Sequence, residues 1–263
     1  MSPLASIGET VCARLRASRG QLAFLGETLV AALSTLVCPR RFRFGDFALA
    51  FQRAAWEGLP VTTGIGFLLG VILAFQSAAA LRMFGVESFV ANLLAIALFR
   101  ELGPVITAVV LAGRSGSAYA AEIGTMKVNE ELDALTTMGL PPVRFLVLTR
   151  LLAATFAMPI LTIFAELAGL IGGAIVLEQM NVPNPVFWRG VITSTTPFMI
   201  LMGLAKSALF GFLVALVGCS AGMRTKSTAD GVGAAATAAV VAGIIAIVIS
   251  DGVLAVLCWL WNL

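Results

Sequence analysis

The 263-residue chain contains no histidine, few charged residues and no closely spaced pair of cysteines. The lack of histidine excludes mechanisms that need an imidazole as a general base or a metal ligand. The four cysteines (Cys12, Cys38, Cys219 and Cys258) lie far apart, which favours apolar packing over a zinc site or a disulfide framework. The sequence also lacks the glycine-rich loop, GxxxxGK followed by Ser or Thr, that cradles ATP phosphates. The N-terminal 19 residues have no short apolar core with a cleavage site, so we expect no cleavable signal peptide.

Charged residues make up only 12% of the chain, whereas soluble domains carry about 25%. Hydrophobic residues make up 59%, and the mean hydropathy is +1.00. A soluble globule of this size cannot bury that much apolar surface. Several apolar runs reach the roughly 20 residues that a helix needs to cross a bilayer. The composition therefore predicts an all-α integral membrane protein, and the net charge of +3 is too small to indicate binding to nucleic acid.

Five long apolar runs predict five transmembrane helices. They cover approximately residues 58–81, 89–119, 145–177, 198–219 and 232–261. Two segments precede them: residues 21–37 are apolar but short, and residues 44–57 mix aromatic with charged side chains beside a basic flank. We expect both to be interfacial helices within an N-terminal region, 1–57, that precedes a five-span domain, 58–263. The alternative for residues 21–37 is a short sixth span.

The distribution of arginine and lysine predicts the orientation in the membrane. Seven arginines precede the first span, whereas the connections on the opposite side hold only Arg82 and Arg189. The positive-inside rule therefore predicts a cytoplasmic N-terminus.

Small residues recur at the spacing that lets membrane helices approach closely. The glycine pairs are Gly66/Gly70, Gly169/Gly173 and Gly218/Gly222. Residues 113–116 also fit the GxSG pattern of rhomboid-like proteases, which need a histidine base. A pair of Ser115 with Lys206 is conceivable, but tight packing is the better interpretation.

Arg114 and Arg150 lie near the ends of predicted spans, and five other charged residues lie deeper inside them: Arg100, Glu101, Glu166, Lys206 and Asp251. A charge at the centre of a span costs roughly 2.5–3.5 kcal/mol and usually faces the bundle interior or a wet cavity. Because Arg100 and Glu101 are adjacent, they point about 100° apart on a helix. Each therefore needs a partner on another helix or a polar cavity, and Lys206, Glu166 and Asp251 are the candidates.

The connection between spans two and three is long and acidic, and it favours a helix over residues 122–138. Gly139, Pro141 and Pro142 end this segment. Its charged residues include Glu122, Lys127, Glu130, Glu131 and Asp133. A polar helix across the cytoplasmic face is what a permease needs to contact a motor subunit, and a solvated linker helix is the alternative.

The stretch that begins at Leu98 reads LFRELGPVITAVVLAGRSGSAYAAEIGTMKVNEELDALTTMGLPPVRFLVLTR. It resembles the signature of the MlaE/YrbE permeases, the membrane subunits of ABC transporters that move phospholipids or other hydrophobic molecules. The similarity continues more weakly through Lys206-Ser207 and residues 228–251. One departure is that Ala234 and Ala238 occupy positions where family members commonly have arginine, which puts in doubt any contact that those arginines make.

The resemblance implies a homodimer of five-span permeases with N-terminal interfacial helices, in a bacterial inner membrane. It implies that residues 122–138 form a coupling helix seated on a cytoplasmic ATPase, which binds the ATP, so that this chain needs no cofactor. It also implies an external MCE-type lipid-binding partner and, often, a small STAS-domain partner inside.

In such a transporter, we expect Arg100, Glu101 and Lys206 to hold a charged lipid headgroup. The alternative is that the charges are buried ion pairs that hold the bundle together, and the roles of Glu166 and Asp251 are left open. We expect an apolar cavity lined from the first, second and fifth spans. The candidate lining residues are Leu69, Leu73, Phe75, Gln76, Leu98 and Val105. No catalytic or metal-binding residue is expected.

A secondary transporter is the competing hypothesis. It would use Glu101, Glu166 or Asp251 as a proton or ion site. It would explain the buried acids but not the long acidic segment at 122–138, and the inverted repeats common in that class are not evident.

Overall fold

A computed structural model describes residues 23–32, 43–226 and 228–260, without the side chains of Ser88 and Ala229. Within these ranges the chain is helical and contains no strand. Five helices are long and apolar enough to cross a membrane. The predicted all-α fold with five spans is therefore confirmed. Cys12 and Cys38 lie outside the described residues.

Eight helices organise the described chain, and we number them in chain order. The five spans are α2 (Phe44–Arg82), α3 (Val90–Val128), α5 (Val143–Gln179), α7 (Pro197–Met223) and α8 (Ala229–Leu260). The shorter helices are α1 (Ala23–Ala32), α4 (Glu131–Thr137) and α6 (Asn184–Ser194).

The first span is one continuous helix of 39 residues that begins at Phe44 and contains Pro60. No helix therefore ends at the boundary that we placed between residues 57 and 58. At 1.5 Å per residue the helix is about 58 Å long, so it extends well past a hydrocarbon core of about 30 Å. Helix α1 covers part of the segment 21–37, and the rest of that segment lies outside the described residues. The interfacial position of both segments stays a prediction.

Glycines create the closest helix contacts, as their spacing predicted. A Cβ atom at Gly70 of α2 would overlap the main chain of Gly169 in α5. A Cβ atom at Gly218 of α7 would lie 2.6 Å from the carbonyl oxygen of Gly116 in α3. Gly66, Gly169 and Gly222 also lie against main-chain atoms of a neighbouring helix, whereas Gly173 lies against the Leu94 side chain. The glycines therefore fix how closely α2 packs on α5 and α3 packs on α7.

The second span contains two π-helical segments, Leu98–Leu102 and Ala112–Gly116. A π-helical turn inserts an extra residue and redirects the side chains around it, and such turns occur frequently at functional sites. The first segment carries Arg100 and Glu101, and the second carries Arg114.

The helix that we predicted over residues 122–138 is divided. Helix α3 continues to Val128, the chain bends at Asn129, and Glu130 adopts a left-handed conformation with φ 61°. The seven-residue helix α4 then follows. Gly139, with φ 75°, ends it, because glycine adopts positive φ without a steric penalty.

Most of the described cations lie at one end of the bundle. This end, which we call the basic end, contains the connection from α3 to α5 and the connection from α7 to α8. Its arginines and lysines are Arg43, Arg53, Arg114, Lys127, Arg144, Arg150, Arg224 and Lys226. The connections at the opposite end contain Arg82 and Arg189.

Candidate functional site

Charged residues from three spans meet in one cluster. Nζ of Lys206 in α7 lies 2.5 Å from Oδ1 of Asp251 in α8, and it donates a hydrogen bond to Glu101 in α3. Nε of Arg100 lies 3.8 Å from Oε1 of Glu101. The Lys206 side chain is only 9% exposed. Two cations therefore face two carboxylates, and Lys206 connects all three helices, as the cost of unpaired intramembrane charge requires.

A close helix crossing brings these charges together. Gly203 of α7 packs directly against the carbonyl oxygen of Phe99 in α3. Lys206 follows Gly203 by three residues and therefore lies on the same face of α7. The π-helical segment at Leu98–Leu102 places Glu101 opposite this face. A side chain at position 203 would push the helices apart and separate Lys206 from Glu101.

Arg100, Glu101 and Lys206 form one wall of a cavity of about 400 Å³, within the size range of pockets that bind small molecules. The remaining lining is mostly apolar. It includes Ile96, Phe198, Met199, Met202, Leu209, Leu254, Ala255 and Cys258. A charged wall beside apolar surface suits an amphiphilic ligand, with a polar group near Lys206 and a hydrocarbon part along α7.

The helices that line this cavity differ from those that we expected. Spans two, four and five contribute to it (α3, α7 and α8), whereas span one does not. Leu98 is 1% exposed and belongs to a separate hydrophobic core, against which Leu69 and Leu73 pack. Gln76 is exposed on α2, which does not reach the cavity. The structure therefore does not bring these four residues together with Lys206.

Phe75 and Val105, the other candidate lining residues, are also absent from the cavity wall. Phe75 is 50% exposed on α2, and Val105 packs against the hydrophobic core that contains Ala108 and Leu111. The residues of α7 that line the cavity follow a helical spacing, which was visible in the sequence but was not used to predict the lining. Met199, Met202, Lys206 and Leu209 recur at intervals of three and four residues, which places them on one helix face.

Glu166 does not join the charge cluster. It lies on α5, is 2% exposed, and packs against Gly103 of α3. A Cβ atom at Gly103 would lie 2.7 Å from its Oε1 atom. Glu166 therefore contacts α3 from α5, whereas Lys206 contacts α3 from α7.

The GxSG sequence is a packing element. Ser115 is 6% exposed, and the adjacent Gly116 packs on Val214 and Gly218 of α7. Ser115 follows Glu101 by 14 residues, which corresponds to about 21 Å along α3. Because Lys206 is bound to Glu101, it cannot also activate Ser115.

Three of the predicted coupling residues lie in one exposed segment. Glu130, Glu131 and Asp133 are exposed, and Leu132 between them is 6% exposed and packs into the core. Leu132 therefore attaches α4 to the bundle while the acidic side chains face outwards.

The other two predicted coupling residues make contacts within the bundle. Nζ of Lys127 donates a hydrogen bond of 2.8 Å to the carbonyl oxygen of Met223 at the end of α7. Glu122 accepts a hydrogen bond of 3.0 Å from Arg150 of α5. These two residues connect the end of α3 to α7 and α5.

The chain is similar in sequence to membrane permeases. The family model described as "Permease MlaE" matches residues 47–257. A probable ABC transporter permease protein of Rickettsia bellii is 33% identical over 94% of this chain and 93% of its own length. One from Synechocystis is 40% identical over 74% of each chain. The intermembrane phospholipid transport system permease protein MlaE of Haemophilus influenzae is 35% identical over 67% of this chain and 68% of its own.

Proposed function

Because the chain belongs to the MlaE permease family, we propose that it is the membrane subunit of an ABC transporter that moves phospholipids or related lipids between membranes. The observation that carries this proposal is the cavity beside Lys206, where an ion cluster adjoins apolar surface. This combination matches a molecule with a charged headgroup and hydrocarbon chains. The name of the Haemophilus relative, a phospholipid transport permease, supports the same substrate class.

The charged residues of the cavity bind the headgroup in this proposal. Arg100 is the cation at the more exposed edge, with a side chain 49% exposed, whereas Lys206 is already engaged by two carboxylates. Arg100 therefore contacts the lipid phosphate directly, and Lys206 and Glu101 position the Arg100 side chain. Met199 and Met202 contact the acyl chains, since methionine adapts to variable apolar shapes.

A partner ATPase supplies the energy, because the sequence has no phosphate-binding loop of its own. The ATPase contacts α4 through the exposed Glu130, Glu131 and Asp133. The connections made by Lys127 and Glu122 then transmit its movement to α7 and α5. In this arrangement the basic end faces the cytoplasm, in agreement with the positive-inside rule.

We further propose that the permease is a homodimer in a bacterial inner membrane. It works with an external MCE-type lipid-binding protein and with a small STAS-domain protein inside. Helix α8 provides the interface in this proposal, since only 11% of the residues in its most apolar stretch are buried within one chain. Val248, Val253 and Val256 are among its exposed apolar residues and suit the interface with a second copy.

Two measurements test the proposed function. The tagged chain, purified in mild detergent, is expected to bring down an ABC ATPase and bound phospholipid. The complex, reconstituted into vesicles, is expected to transfer labelled phospholipid only when ATP is supplied. Transfer driven by an ion gradient in vesicles without the ATPase would contradict the proposal and support a secondary transporter.

A further inference from the structure

The ion cluster at the Lys206 cavity carries no net charge. Its cations are Arg100 and Lys206, and the carboxylates that they contact are Glu101 and Asp251. Apart from Arg100, Glu101 and Lys206, no acidic or basic residue is among the described residues that line the cavity. Two positive charges are therefore balanced by two negative charges before any ligand enters.

The cluster lies deep within the spans that carry it. Glu101 follows the first residue of α3 by 11 positions, and Lys206 follows the first residue of α7 by nine. Asp251 precedes the last residue of α8 by nine positions. At 1.5 Å per residue, these positions lie about 14–17 Å from the end of the bundle opposite the basic end. That depth is about half of a hydrocarbon core of about 30 Å.

The net charge of a ligand matters at this depth, because an unpaired charge inside a membrane is costly. An anionic lipid headgroup, which has a phosphate and no cation, leaves the occupied cluster with one negative charge in excess. A zwitterionic headgroup, which has a phosphate and an ammonium group, keeps the charges balanced. Glycerol and ethanolamine headgroups are similar in size, so the cavity distinguishes them by charge and not by shape.

The contact between Arg100 and Glu101 has room for both groups of a zwitterion. Oε2 of Glu101 accepts the hydrogen bond from Lys206, whereas Oε1 lies 3.8 Å from Nε of Arg100, which is longer than a hydrogen bond. Both side chains line the cavity, and Arg100 is 49% exposed and Glu101 39% exposed. A phosphate beside the guanidinium group and an ammonium group beside Oε1 would each form a charge-assisted hydrogen bond.

We propose that the Lys206 cavity selects zwitterionic phospholipids, such as phosphatidylethanolamine, over anionic ones, such as phosphatidylglycerol. This inference rests on the proposed function, because it takes the cavity as the lipid site, and it adds the class of headgroup. Arg100 binds the phosphate, and Glu101 accepts a hydrogen bond from the ammonium group. We expect phosphatidylethanolamine to bind about tenfold more tightly, because solvent at the exposed Arg100 screens part of the unbalanced charge.

Cys258 provides a measurement that is specific to this cavity. It lines the cavity and is partly exposed, so a bound lipid is expected to protect its thiol from a maleimide reagent. The experiment uses the full-length chain in detergent, with the other three cysteines replaced by alanine. Its probes are phosphatidylethanolamine, phosphatidylglycerol and diacylglycerol with the same acyl chains. The rate of labelling gives the concentration of each lipid that protects half of the thiol.

Two variants change the charge of the cluster in opposite directions. Asp251→Asn adds one positive charge, and we expect it to shift the preference about tenfold toward phosphatidylglycerol. Arg100→Gln removes one positive charge, so it is expected to weaken both lipids but phosphatidylglycerol more. Asp230→Asn, at an exposed position of α8 near the basic end, is the matched control and should keep the wild-type ratio. Because two lipids are compared within each variant, a general loss of stability does not produce opposite shifts.

The outcomes separate this proposal from the proposed function. If phosphatidylglycerol protects the wild-type thiol as well as phosphatidylethanolamine does, the headgroup selectivity is wrong, but the cavity is still a lipid site. Equal protection by diacylglycerol would show that the headgroup charges are not recognised. If none of the lipids protects Cys258, the lipid site of the proposed function is wrong as well. The wild-type comparison decides the proposal even if Asp251→Asn does not fold.

Discussion

At the residue scale, Lys206 is the centre of the electrostatic organisation. Among the residues that the structure describes, it is the one cation that contacts both Glu101 and Asp251, and its side chain is nearly buried. Removing one member of a buried ion cluster leaves uncompensated charge, which destabilises a protein by about 3–5 kcal/mol. Replacing all members by neutral groups of similar shape is far less costly, because no charge then remains to be solvated.

We therefore expect Lys206→Met to lower the melting temperature strongly. The triple variant Lys206→Met/Glu101→Gln/Asp251→Asn is expected to recover most of that loss, and thermal unfolding in detergent measures both. If the cluster only holds the bundle together, the stable triple variant will bind phospholipid as wild type does. Our proposal predicts instead that it folds but binds less lipid.

At the scale of elements, helix contacts depend on glycine at defined positions. Gly70→Ala would place a methyl group inside the main chain of Gly169, so α2 and α5 must separate. Forced overpacking of this kind costs about 1–3 kcal/mol, and we expect a lower melting temperature. Gly64→Ala is the matched control on the same helix, because nothing lies within 4 Å of its Cβ position. That substitution is expected to be neutral or stabilising, and a loss of stability equal to that of Gly70→Ala would refute the packing explanation.

The sequence was sufficient to predict the spans and their glycine contacts but not the cavity lining. A run of about 20 apolar residues identifies a membrane helix because a bilayer requires that length. The same run does not show which face meets lipid and which meets another helix, since both environments are apolar. For this reason Leu69, Leu73 and Leu98 were expected in a cavity but pack beside or within a core.

The charged residues were easier to group, because unpaired charge inside a membrane needs a partner. This argument correctly named Lys206 as a partner of Glu101. It predicted neither the contact of Lys206 with Asp251 nor that of Arg100 with Glu101 itself, and it also admitted Glu166, which lies elsewhere. The break near Glu130 could not be predicted. Glutamate is a good helix former, and no glycine marks its left-handed conformation.

Helix α4 is the proposed contact with the ATPase. Glu131 and Asp133 are exposed beside the buried Leu132, so reversing their charges should not disturb the core. We expect Glu131→Lys/Asp133→Lys to reduce co-purification of the ATPase while the chain still inserts into the membrane. Glu178→Lys, an exposed acidic residue near the end of α5, is the control. Normal assembly of the double variant would count against α4 as the coupling element.

At the scale of the whole molecule, the proposed mechanism depends on which side of the membrane the basic end faces. If it faces the cytoplasm, α4 meets the ATPase and the connection between α2 and α3 lies outside. Two exposed methionines report the two sides: Met138 follows α4 and is 72% exposed, and Met83 follows α2 and is 85% exposed. Each can be replaced by cysteine in a chain whose four native cysteines are alanine.

We expect a membrane-impermeant maleimide to label Met83→Cys in right-side-out vesicles. Met138→Cys should react only after the membrane is permeabilised, because arginine and lysine favour the cytoplasmic side. The reverse pattern would place Glu131 and Asp133 outside the cell, where no ATP-hydrolysing partner could bind them. Such a result would contradict the coupling role of α4 without affecting the ion cluster at Lys206, so the experiment tests the energy source separately from the lipid site.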